Sequence, residues 1–413
     1  MRIKEISARQ IIANNGHPTL QVRIATSKNE AYSSIPLAAS KGKYEFRDSY
    51  DDRTKRFHHE TLATAIDKVQ RIISPEVVGK NCMDQVEMDQ LLLDIDGTVD
   101  RSSLGVNVIT AVSQAMAKLG AMESDLPLFK YIRILHDFTG VPDTRLNSEY
   151  SLPTPLITIY QAALHEHSST LPFQELLLIP KDKFSYHKDL VKLFHDLSRL
   201  EVKTGHKTMK SFLAQATKHV KKLNPRFALG IDMAASRYKR TDEAGEYVIP
   251  GFTSPKVPFN GDEKKLARAY MRMVQEGTIR FIEDPFEEDD YAGWKEFKDD
   301  MFALDPSVQI VADDFTATNM ERLDKISVLE CANNVVLKPS QIGTISECIT
   351  YSQRARKYGH NLTVSYRHGE TEDTFIADLA VGINAKYIRS GPFQGSAYVA
   401  KLNRLLSIEE SIY

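Results

Sequence analysis

The chain has 413 residues, 42% hydrophobic and 26% charged, enough to bury large cores and to hold two domains. A formal net charge of −2 leaves no nucleic-acid footprint and none for an anionic membrane, so neither partner is expected. No apolar run approaches the ~20 residues of a membrane span, and the start, MRIKEISARQ, lacks an apolar core of signal-peptide length; a cytoplasmic location is the default expectation.

Residues 3–13 (IKEISARQIIA) and 19–26 (TLQVRIAT) alternate as antiparallel strands do, with NNGHP (14–18) as the turn between them. Leu62, Ala65, Ile66, Val69, Ile72 and Ile73 then form one apolar stripe at helical spacing, and Val108, Ile109, Val112, Ala115, Met116 and Leu119 form another. Strands followed by helices predict an α+β domain. The stretch FTGVPDTRLNSEYSLPTP (138–155) is rich in turn formers and reads as a linker, which divides the chain into 1–138 and 139–413. From Leu156 onward strand and helix patterns alternate, as in a barrel or an open doubly wound sheet. The basic stretch KHVKKLNPR (218–226) reads as a solvated helix end. Cys82, Cys331 and Cys348 are odd in number and lack metal-ligand spacing, which fits reduced thiols.

Four apolar runs in this second part end abruptly in charge. FALGID leads to Asp232, FIED to Glu283 and Asp284, QIVADD to Asp313 and Asp314, and VVLK to Lys338. Strands spaced by helix-length segments and tipped in this way predict a parallel α/β barrel, whose chemistry sits at the C-terminal strand ends. Three carboxylates meeting there would repel by roughly 1–4 kcal/mol per close pair. A divalent cation removes that repulsion, and an all-oxygen set favours Mg²⁺. A lysine beside such a cation is a candidate base.

These motifs, together with ARQIIANNGHPTLQV (8–22), IPLAASKGKYE (35–45), LDIDGTVDRSSLGVN (93–107), FQELLLIP (173–180), YRHGETEDTFIADLAVG (366–382) and AKLNRLLSIEE (400–410), resemble the enolase family nearly end to end. The resemblance implies an N-terminal α+β capping domain on a (β/α)₈-like barrel, Mg²⁺ as cofactor, a small phosphorylated carboxylate as partner and a homodimer. Asp232, Glu283 and Asp313 match the family's metal ligands, and Ser40 matches a loop serine that helps hold a second Mg²⁺. Lys338 matches the general base that removes the proton α to the substrate carboxylate, although it could instead pair with Glu283 as a salt bridge. Glu175 matches a glutamate beside the leaving hydroxyl, or anchors a loop. His165 matches, with a one-residue shift, a loop histidine that reaches the phosphate, and Arg367 matches the arginine that grips phosphate bidentately.

Departures from the family cluster around the same site. The family's Gly-Asp-Glu-Gly-Gly-Phe loop, whose glutamate helps expel the hydroxyl as water, has no counterpart between Glu175 and Asp232. Residues 197–220 are expected to be helical instead, with Phe194, Leu197, Leu200 and Val202 on one apolar stripe and Leu213, Ala216 and Val220 on another. Tyr366 replaces a histidine, His368 a serine, and Arg389, followed by Ser390, a lysine that binds carboxylate charge. Arginine keeps the charge with a larger planar head, so this is no silent change. Losing a general acid typically costs ~10²–10⁴-fold. Three readings follow: a Mg²⁺ lyase of altered course with weak or absent 2-phosphoglycerate dehydration, an inactive binding or structural subunit, or a working enolase with substitute groups.

Overall fold

The computed structural model describes residues 1–36, 42–51, 61–139, 149–161, 171–198, 208–223, 226–241 and 245–413. At the N-terminus β1 (Glu5–Ile12), β2 (Pro18–Ala25) and β3 (Glu30–Ser34) form an antiparallel sheet, β1 and β2 being joined by the expected turn. The third strand had no clear sequence signal: EAYSS is short and its burial barely alternates. Helices α1 (Ala63–Asp67) and α2 (Ser74–Val77) flank a π-helical stretch at Lys68–Ile73. Leu62, Ala65, Val69 and Ile73 are buried as expected, but Ile72 is 45% exposed. Its membership of the stripe is thus corrected: neighbours in a helix are rotated by roughly 100°, and the spacings of four from Ala65 to Ile73 carry the buried face past Ile72.

Helices α3 (Gln85–Asp96), α4 (Val106–Glu123) and α5 (Leu128–Thr139) complete this part of the chain. The second predicted stripe lies on α4, where all six of its residues are buried. Polar neighbours such as Asn107, Thr110, Ser113 and Gln114 are buried too, so α4 has no wet face along most of its length. It packs on β2 and β3 on one side and on the second domain on the other, contributing Val108, Ile109, Val112, Ala115, Met116 and Leu119 to the first core and Ala117 and Ala121 to the second.

The second part continues with β4 (Thr154–Gln161), β5 (Glu175–Pro180), α6 (Tyr186–Ser198), α7 (Met209–Leu223), β6 (Phe227–Asp232), the hairpin β7 (Tyr247–Ile249) and β8 (Phe259–Gly261), and α8 (Glu263–Gln275). Strand and helix then alternate as β9 (Phe281–Glu283), α9 (Tyr291–Leu304), β10 (Gln309–Ala312), α10 (Met320–Val328), β11 (Asn334–Leu337), α11 (Pro339–Ile342), α12 (Ile345–Lys357), β12 (Asn361–Ser365), α13 (Phe375–Gly382), β13 (Tyr387–Pro392) and α14 (Ser396–Ile412). Eight strands close a barrel in the order β4-β5-β6-β9-β10-β11-β12-β13. One expectation is corrected here: the barrel is not all parallel, because β5 runs antiparallel to both β4 and β6. A parallel neighbour needs a helical crossover; none of the described residues between β4 and β5 is helical, and two helices follow β5 in succession. The stripes of 197–220 fall on α6 and α7, with Leu197, Leu213, Ala216 and Val220 buried. Leu200 and Val202 lie outside the described residues.

Strand side chains divide by parity between two cores, as a two-residue repeat requires. Leu156, Leu177, Ile179, Phe281, Val311, Val336 and Tyr387 fill the barrel interior, while Ile157, Leu176, Leu178, Ile282, Ile310, Val335 and Ile388 pack with the surrounding helices. Gly230 belongs to the interior set, where a Cβ would lie 2.8 Å from that of Phe281 and 2.9 Å from Ile179 Cδ1.

A buried carboxylate joins the two parts. Asp89 on α3 accepts from Gln85 Nε2 (2.9 Å), Ser113 Oγ (2.5 Å) and, across the seam, Ser346 N (2.9 Å) and Oγ (2.7 Å). Ser346 N belongs to the first turn of α12, whose free amides favour an anion. Burial pushes the Asp89 carboxyl up to about 6 despite these donors. A folded-state pKa above the unfolded one means stability falls as pH rises from about 4 through 6. Asp89→Ala should lower the unfolding free energy by about 2–3 kcal/mol and flatten that slope, because it leaves buried donors unpaired. An unchanged urea midpoint at pH 7 would refute the role.

Candidate active site

The interior parity of each strand, carried two residues on, produces the site. Phe281 leads to Glu283, Val311 to Asp313, Val336 to Lys338, Tyr387 to Arg389 and Leu156 to Thr158. Because β5 is reversed, Glu175 precedes Leu177 and still reaches the same end, paired in register with Asp232. Ser390, of opposite parity, is buried with an unpaired Oγ and is not among the residues lining the cavity that Arg389 lines.

Arg389 stands at the centre. Its Nε donates to Glu175 Oε2 (3.1 Å), its Nη2 to Asp232 Oδ2 (2.7 Å) and its Nη1 to Glu283 Oε1. One planar guanidinium thereby spans carboxylates from three strands, a use of the arginine fork that a lysine ammonium cannot copy. Glu175 also accepts from Thr158 Oγ1 and Tyr366 OH, each at 2.6 Å, and His368 Nε2 lies 3.5 Å from it. Burial pushes the Glu175 carboxyl up, but Arg389, His368 and these hydroxyls outweigh it and hold the group below its ordinary range, ionised. Asp232 and Glu283 go the other way: burial and the neighbouring acids raise both in spite of Arg389. His368 is depressed to about 4, chiefly by burial and then by Lys338, Arg389 and Arg367, so it is uncharged at neutral pH.

Lys338 and Arg367, which line the same cavity, are also paired. Lys338 Nζ donates to Asp313 Oδ2 at 2.5 Å, not to Glu283, which Arg389 engages instead. Burial lowers the Lys338 amine, yet Asp313 prevails and leaves it raised. Arg367 donates to Glu45 Oε2 at 2.8 Å, both side chains being buried. These groups border a cavity of about 240 Å³, with Asp232, Asp313, Lys338, Arg367 and Arg389 among its walls. Glu283, 0% exposed, is not part of its lining. Ser40 and His165 lie outside the described residues.

Among the described residues, Asp284, Asp313 and Asp314 converge: one carboxylate oxygen of each lies within 4.8 Å of the others, a group that could hold a metal ion. Asp284 takes a left-handed conformation (φ 42°), and its carboxylate accepts from Asp313 N (3.0 Å) and Asp314 N (2.8 Å), fixing the next strand end. Asp314 is pushed up to about 7 by burial and by Asp313. The donor chemistry of this group suits a divalent cation, since every candidate donor is an oxygen; Asp313 Oδ1, and outside the group Glu283 Oε2, are buried without a hydrogen-bond partner. Glu45, Asp284 and Asp314 were missed by sequence reasoning. The tandem acids Glu283-Asp284 and Asp313-Asp314 were the available signal for the last two; nothing local announces that Glu45 reaches Arg367.

Comparison with known families gives two matches. The enolase N-terminal domain matches residues 3–132, and the enolase C-terminal TIM barrel domain matches residues 149–413.

Proposed function

The chain belongs to the enolase family, and from that membership we propose a Mg²⁺-dependent lyase that abstracts the proton α to the carboxylate of a small phosphorylated acid while dehydrating 2-phosphoglycerate weakly or not at all. The observation that carries this reading is that Asp313, whose buried Oδ1 has no hydrogen-bond partner, lines the same cavity as Lys338, with the likewise unpartnered Oε2 of Glu283 at the end of the neighbouring strand. Asp232, Glu283 and Asp313 would hold the cation, and Ser40 would help hold a second one; a bound cation would take up negative charge developing on the substrate carboxylate.

Lys338 serves as the base. Its amine is held charged by Asp313, so once Asp313 shares its charge with a cation, burial, Arg367 and Arg389 all favour the neutral form. Arg367 grips phosphate after releasing Glu45, Arg389 meets the carboxylate, and Tyr366 and His368, which line the same cavity, complete the described surroundings of the substrate. Among the described residues, expelling hydroxide as water then lacks a donor. Glu175 is ionised and His368 uncharged. Asp314 is raised first by burial and then by Asp313, and a cation on Asp313 would remove the second of these causes.

The test is to incubate the protein with Mg²⁺ and 2-phosphoglycerate in D₂O. We expect deuterium at the α carbon to appear at least ~10²-fold faster than enolpyruvate absorbance. Dehydration keeping pace with exchange would mean a working enolase. The Arg389 fork favours a second reading, a site that binds without turnover; ligand binding with no exchange would establish it.

A further inference from the structure

We propose that Arg389 is a built-in counter-ion that occupies Asp232 and Glu283 in competition with a divalent cation, so that loading the site requires the guanidinium to withdraw. The inference rests on the reading that the site takes such a cation. Its basis is geometric. Three donors of one guanidinium engage three carboxylates, on β5, β6 and β9, and the arginine is only 2% exposed. Glu283 is walled off from the cavity while Arg389 lines it. Oε1 of Glu283 and Oδ2 of Asp232, each on Arg389, are therefore taken, and a cation placed beside them would face a permanent positive charge.

Withdrawal has somewhere to go. Arg389 borders the cavity, and the carboxylate of a ligand entering there offers the guanidinium a replacement partner. The arginine would then act as a positioning residue that couples cation loading to arrival of an anionic ligand. A lysine at this position has one compact ammonium and cannot span three strands, so it would leave at least one carboxylate to the cation.

The experiment is Mn²⁺ binding, read by electron paramagnetic resonance and by thermal shift, on the native chain, Arg389→Lys and Arg389→Gln. We expect weak binding to the native chain and roughly tenfold or tighter binding to both variants. Circular dichroism reports whether each is folded; the lysine variant keeps a charge in the network and guards against loss of fold in the glutamine one. Equal affinity in the native chain and a folded variant would overturn the proposal while leaving the cation site standing. No Mn²⁺ binding in any of the three would overturn both.

Discussion

Lys338→Ala should reduce Mg²⁺-dependent exchange of the substrate α proton by about 10²–10⁴-fold, the usual contribution of a positioned base. The amine sits at the end of β11, buried, with Asp313 as its partner and Arg367 and Arg389 among the groups acting on it. Nothing else described in the cavity combines basicity with that position: Glu175 is saturated by hydrogen bonds and His368 stands beside it. Lys338→Arg should fail equally, because a guanidinium does not give up its proton near neutral pH. That variant keeps the charge opposite Asp313, so it separates loss of the base from loss of the ion pair. Exchange by Lys338→Arg at more than a tenth of the native rate, followed by mass spectrometry, would remove Lys338 from the role.

Arg389→Met should cost about 3–5 kcal/mol of stability at pH 7, the range for stranding buried charges by removing their partner. Glu175, Asp232 and Glu283 would share a closed barrel end without a cation on them. The pH dependence should reveal the cause. In the native chain Glu175 is held below its unfolded value, so its contribution is present above that value and fades as pH falls through the lower folded one. Without Arg389 burial would raise all three carboxyls above their unfolded values. Stability of the variant should then climb as pH falls, since the folded state binds protons more strongly. Urea unfolding at pH 5 and 7.5 measures this; a variant with the native pH slope would show that Arg389 does not neutralise these acids.

Much of this architecture was legible because its signals are local. The hairpin of β1 and β2, the stripe of α4 and the charged ends of β6, β9, β10 and β11 each lie within one short segment. The reversal of β5 was not legible, since ELLLIP is apolar on both faces and reads alike in either direction. Ile72 misled because a π-helical stretch shifts a stripe by a rotation that residue type does not encode. The site shows the same division. Asp232, Glu283, Asp313 and Lys338 advertise themselves as strand ends, but the partner each takes depends on barrel closure. Lys338 meets Asp313, and Arg389 reaches Glu283 over a sequence separation of 106 residues. No single segment contains that information.

Helix α4 bears on how a ligand reaches the cavity. Many two-part proteins admit ligands by swinging one half away from the other on a hinge. Here the swing would pull a dry helix out of two cores at once and strip Ile345 N from Ser113 Oγ (2.9 Å) and Asp373 from Lys118 (2.7 Å). Losing the apolar contacts costs in proportion to the surface returned to water, and the broken hydrogen bond and ion pair add to that cost. The two halves are therefore a single mechanical body. Traffic to Lys338 and Arg389 has to pass by rearrangement of side chains and loops at the barrel rim, which makes the pairing of Arg367 with Glu45 a toll on entry rather than mere packing.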